Sequence, residues 1–113
     1  MAKTVVVVIQ EDPRKTHRPV EALRIALGLV AGSHRTSVIL LDESVRLLHE
    51  NVDDIVDVDI LEKYLPSIEH LEIPFILQMK TDRAPIRKEF HVQYNNDEQI
   101  RLLLESADRT LVF

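Results

Sequence analysis

The run Thr4-Val5-Val6-Val7-Val8-Ile9 is β-branched throughout and offers apolar residues to both faces of a strand. A strand with one wet face alternates apolar with polar residues; a continuous apolar run fits a strand covered on both faces, as in a parallel sheet between helical layers. The residues that follow agree with that placement. Gln10 to Arg18 is polar and charged, and Pro19 fits the first turn of a helix that runs to Ala31 with Gly32 as its stop. Ser37 to Leu41 is predicted as a second buried strand. Asp42 or Ser44 can then cap a short helix holding Val45, Leu47 and Leu48. Asn51 to Asp59 is acidic and irregular, and Ile60, Leu61, Tyr64, Leu65, Ile68 and Leu71 mark a helical face that Pro66 either kinks or divides. Further strands are predicted over Phe75 to Met79, Phe90 to Tyr94 and Thr110 to Phe113. Between the last two, the Asn95-Asn96-Asp97 turn leads into a helix whose apolar face is Ile100, Leu103, Leu104 and Ala107. Five strands alternating with helices define the class as α/β: one three-layer domain spanning residues 1–113, its five-stranded sheet mainly parallel and flanked by helices.

The helix beginning at Pro19 carries more apolar surface than one sheet requires. Val20, Leu23, Leu27 and Val30 recur at spacings of three and four, and Ala22, Ile25, Ala26 and Leu29 widen the arc until only Glu21, Arg24 and Gly28 remain outside it. An apolar arc of about 100° suffices for packing on a sheet. The excess predicts an oligomer, with Leu23, Ile25, Ala26 and Leu29 as the candidate interface residues.

Composition excludes several functions. With 113 residues, 45% hydrophobic and 29% charged, the chain is a globular domain with no room for separate cofactor and substrate domains. It has no cysteine, so disulfides, thiolate metal sites and every mechanism using a thiol nucleophile are excluded. A net charge of −5 and only 4% aromatic residues argue against nucleic-acid binding. Met1-Ala2-Lys3 leads directly into an apolar stretch too short for a membrane span or a signal peptide, so the expected location is the cytoplasm, with no membrane partner. No resident cofactor is expected.

Charge is unevenly distributed. Asp42 to Glu72 holds ten acids against Arg46 and Lys63, leaving the rest of the chain net basic. Arg14, Lys15 and Arg18 follow the first strand; Lys80, Arg83, Arg87 and Lys88 follow the third. In a parallel sheet both loops leave from the carboxyl edge, and if the first and third strands were neighbours a crevice would open between them. Arg14, Lys15, His17, Arg18, Lys80 and Arg83 are therefore the candidate residues for a small anion or nucleotide, helped by the free N–H groups at the start of the Pro19 helix. Solvated loop charges, or a partner's acidic surface, would account for the same residues, and no Gly-rich phosphate loop is present. His17, between Lys15 and Arg18, is the one candidate general base, because neighbouring cations disfavour its protonation. Asp53, Asp54, Asp57 and Asp59 lack the spacing of a calcium loop, and the five histidines include no i, i+4 pair, so no metal site is expected. Ser33, Ser37, Ser44, Ser67 and Ser106 lie in no nucleophile elbow.

Taken in order, these segments resemble the DsrE/DsrF-like family of small sulfur-relay proteins, most nearly its TusC/DsrF-like branch. The likeness covers nearly the whole chain. It is carried by the Val5 to Ile9 strand with its long apolar helix, by Val38-Ile39-Leu40-Leu41-Asp42-Glu43-Ser44-Val45 leading to Leu47-Leu48, and by Leu102-Leu103-Leu104-Glu105-Ser106-Ala107-Asp108-Arg109-Thr110-Leu111-Val112-Phe113. The resemblance implies a DsrE/F-like, flavodoxin-like architecture. Active members of the family carry a cysteine near the end of the third strand, where it accepts sulfur as a persulfide. Here that region reads Gln78-Met79-Lys80, and the thioether of Met79 cannot form one. The resemblance then implies a non-catalytic subunit in a trimer or hexamer, with itself or with a cysteine-bearing homologue. The alternatives are a small-anion or nucleotide-binding module and, third, an enzyme using His17.

Overall fold

The computed structural model describes residues 2–113. Its sheet has five strands, all parallel, in the order β4-β3-β2-β1-β5: β1 Thr4–Ile9, β2 Arg35–Leu40, β3 Pro74–Gln78, β4 His91–Asn95 and β5 Arg109–Val112. Parallel neighbours oblige each connection to bring the chain back along the sheet. Helix α1, Arg18–Ala31, makes the first return; a 3-10 helix, Asp42–Leu48, followed by α2, Val58–Leu71, makes the second. The third, residues 79–90, has no helix. The fourth uses α3, Asp97–Ser106, and takes the chain from one edge of the sheet to the other.

The sheet separates two cores of unequal size. Val7, Ile9, Val38, Leu40, Phe75 and Leu77 point to one face and pack with Leu23 and Ala26 of α1, Leu61, Leu65 and Ile68 of α2, and Leu47 and Leu48. Phe90 closes that core against Phe75, the rings edge-to-face at 4.9 Å. Val6, Val8, Ile39 and Ile76 point to the other face, where Ile100 is the one buried residue of α3. β1 is therefore buried on both sides, as its sequence required.

Local details depart from the sequence reading for physical reasons. At the end of α1, Gly32 donates its N–H to Gly28 O at 3.0 Å, yet the left-handed residue is Ser33, with φ 68°. Ser44 caps nothing: its hydroxyl is buried and lies 2.8 Å from Ile9 O and 2.7 Å from Leu41 O, bracing the ends of β1 and β2. The 3-10 helix starts without a side-chain cap. α2 runs unbroken through Pro66, so the proline starts no second helix; it sits on the exposed side of a single one. α3 begins with a capping box, Asn96 Oδ1 accepting from Gln99 N–H and Gln99 Oε1 from Asn96 N–H, both at 2.8 Å.

The interface residues proposed for α1 divide. Leu23 and Ala26, each 1% exposed, are core residues covered by the chain's own sheet and cannot touch another molecule. Ile25 and Leu29 are half-buried. Leu23→Ala should therefore destabilise the fold by about 2–5 kcal/mol through lost burial and the cavity left behind, and Ile25→Ala by less than half of that. Urea unfolding of the two variants measures the difference, and equal losses would contradict the assignment of the inner face.

Candidate functional site

Ligands of open parallel sheets bind outside the carboxyl ends of the strands, and a cavity of about 340 Å³ lies there, beyond β2 and β3. One wall is the 3-10 helix, which contributes Asp42, Glu43, Val45 and Arg46 before His49. The other is the turn after β3, with Gln78, Lys80, Thr81 and Asp82. The walls are fastened together. Asp42, held at φ 52°, donates its N–H to Gln78 Oε1 at 3.3 Å, and Thr81 donates to Gln78 O at 3.0 Å. Below the cavity the 79–90 connection is pinned beside His49 by Glu50 N–H to Pro85 O at 2.9 Å and Arg87 N–H to Leu48 O at 2.8 Å.

Two polar groups of this wall are costly to bury. Nε2 of His49 and Nε of Arg46 are enclosed without a hydrogen-bond partner among the described residues, although Arg46 Nη2 reaches Asp54 Oδ2 at 3.1 Å. Burial lowers the pKa of His49, and the Arg46 guanidinium lowers it further, against weaker opposing effects from Asp82 and Glu43. His49 is thus neutral near pH 7, held between opposing charges.

The candidate anion residues do not gather into one crevice. β2 lies between β1 and β3, because successive right-handed crossovers move the chain one strand at a time in the same direction. The reversal of strand order falls instead between β1 and β5. Arg14 folds back on Asp12, with Nε at 3.0 Å and Nη2 at 2.7 Å, and also reaches Glu43 at 3.3 Å. That pairing holds the Asp12 carboxyl down at about pKa 2. Arg18 pairs with Glu11 at 2.6 Å and lies over the Phe113 ring at 5.5 Å, at the far side of β1. Arg83 stacks on Tyr94 at 3.5 Å, beside β4. Lys15 and His17 are exposed, and Lys80 alone of the six lines the cavity. Met79 is exposed beside Asn95, whose carbonyl accepts its N–H at 3.0 Å. His49 and Arg46 carried no sequence signal, since they meet Gln78 and Asp82 only through the packing of distant segments. Among the described residues no group of three or more His, Asp or Glu side chains is placed to hold a metal ion, and no helix is long and apolar enough to cross a membrane.

No protein-family model matches the sequence, and no curated protein matches it. Similarity appears in three dimensions. The fold is similar to the crystal structure of the YchN protein from E. coli, with a TM-score of 0.79 over 98% of this chain and 99% of that one, at 16% sequence identity. The fold is accordingly DsrE-like and flavodoxin-like, and at this identity the likeness is one of fold alone.

The depressed protonation of His49 has a pH signature. Its imidazole binds a proton less readily when folded than when unfolded, where it titrates near ~6.5. Stability from this group is complete above that pH and declines as the pH falls toward the lower folded value. The wild-type melting temperature should drop between pH 7.5 and pH 5, and His49→Asn should reduce the drop. An equal drop in the variant would contradict this account.

Proposed function

We propose that the chain is a non-catalytic DsrE/DsrF-like subunit that acts through protein contacts, in a homo- or hetero-oligomer serving intracellular sulfur trafficking in the cytoplasm. The observation that supports this reading is a formed cavity at the end of β3 with no thiol: Gln78, Lys80 and Thr81 line the region in which the resemblance implies the family's cysteine. A persulfide needs a sulfur atom able to become a thiolate. The groups present can donate and accept hydrogen bonds, and none can carry sulfane sulfur. Such a chain contributes surface to an assembly whose chemistry belongs to a partner. Light scattering on the pure protein, alone and co-expressed with a cysteine-bearing homologue, should give a mass of at least twice 13.0 kDa in one of the two cases. A monomer in both would defeat the proposal.

One observation favours a second reading, a small-anion site. Lys80 lines the cavity beside Thr81 and forms no ion pair among the described residues. On that reading sulfate or phosphate raises the melting temperature of the wild type and leaves Lys80→Ala unchanged. A rise of equal size in both would remove it.

A further inference from the structure

β5 is the one strand exposed at every position, and the arrangement of its residues is unlike that of a protected edge. Edge strands ordinarily carry polar residues, charge or a covering element. β4, at the other edge, follows that habit: His91 and Gln93 are exposed, and the Arg83 guanidinium covers Tyr94. β5 instead exposes apolar side chains on both faces, Leu111 at 36% and Val112 at 50%. Leu111 aligns with Val7 and so belongs to the α1 face; Val112 aligns with Val8 and belongs to the α3 face.

The flank of this edge on the α1 face is largely apolar as well. Arg18, Ala22, Ile25 and Leu29 follow one another along α1 at spacings of four, three and four, which sets them on one side of the helix. Arg18 touches Phe113 and, at 3.4 Å, Val112 O, so that side overlooks β5. The half-buried Ile25 and Leu29 therefore sit above the edge on the Leu111 side.

The backbone defines what can cover this strip. Phe113 turns both of its groups toward β1, donating to Val8 O and accepting from Gln10 N–H, each at 2.8 Å. With a two-residue period, Leu111 points the same way, and the N–H and C=O groups of Thr110 and Val112 point out of the sheet. A second copy related by a two-fold axis presents the same groups running antiparallel. Thr110 of each chain then pairs with Val112 of the other, exchanging N–H···O bonds, and the two Leu111 residues meet on the α1 face. Arg109 falls opposite Phe113 of the other copy, repeating the contact Arg18 makes within its own chain, and β5 has no acid or second cation to oppose the match. The Arg18 bond to Val112 O is long and gives way to an amide donor.

We propose that β5 is a self-complementary interface through which two copies of this chain pair antiparallel, forming one continuous ten-stranded sheet. This inference rests on the subunit reading and names the surface and the partner. Its test uses the direction of the Thr110 amide. Thr110→Pro removes an N–H that β1 does not use, so the variant keeps its circular dichroism while the mass from light scattering falls to half that of the wild type. Leu111→Lys, which leaves the backbone intact, should also halve the mass. In the wild type, hydrogen exchange at Thr110 and Val112 should be slow. A wild-type oligomer whose mass survives both substitutions overturns the inference and leaves the subunit reading standing. A wild type that is monomeric alone and oligomeric only with a cysteine-bearing homologue gives the edge to that chain, and equally overturns pairing between copies.

Discussion

Every neighbouring pair of strands in this sheet is parallel, and most of the molecule follows from that. Each strand has to be followed by a return along the sheet, and a right-handed return deposits its helix on a face determined by the direction of travel. Three returns step from β1 to β4 and put α1, α2 and the 79–90 connection over one face. The fourth reverses direction, so α3 is alone on the other. Ten residues of helix then cover what two longer helices cover opposite. The large core and the thin one, the reversal point between β1 and β5, and the bare flank of β5 are all consequences of this path.

The parts of the fold decided locally were legible in the sequence. β1 is legible because its burial on both faces leaves no polar position, and α3 because the Asn95-Asn96-Asp97 turn stands directly before a periodic apolar face. Strand order was not legible. Nothing in the residues of β1, β2 or β3 says which two are neighbours, and the supposed crevice between the first and third strands failed at that point. The broad apolar arc of α1 predicts excess surface for a partner. Half of it is inward, since Leu23 and Ala26 face the sheet while Ile25 and Leu29 overlook β5. A helical wheel gives the width of an arc and not the direction in which it is turned.

The candidate site failed to show in the sequence for a related reason. Charge summed over a segment hides its pairing: the acids that neutralise Arg14 and Arg18 are Asp12 and Glu11, a few residues earlier in the same loop. Those pairs hold the loop in shape against β1 and leave little free positive charge. The cavity, in contrast, joins residues some thirty positions apart, Asp42 to His49 with Gln78 to Asp82. Its geometry depends on β2 and β3 being neighbours, the very fact the sequence withheld.

The two exposed resources of the molecule differ in kind. The cavity is polar and already braced, with Arg46 anchored on Asp54 and Gln78 engaged by the backbone of Asp42. Burial further restrains His49 from taking a proton. Such a wall suits recognition of a fixed shape and discourages change of charge. The β5 edge offers backbone hydrogen bonds, which any extended segment can supply, so pairing there selects nothing by itself. Selectivity has to arise from the side chains above and below the edge: Ile25, Leu29 and Leu111 on one face, Val112 on the other. These are short apolar groups with no charge among them, and Arg109 is the only ionic residue in the strand. An incoming strand bearing a cation against Leu111 would set it beside Arg109 on the same face, like charge near like, whereas an identical strand meets only its own leucine. Discrimination on that edge therefore comes from what is excluded more than from what is bonded.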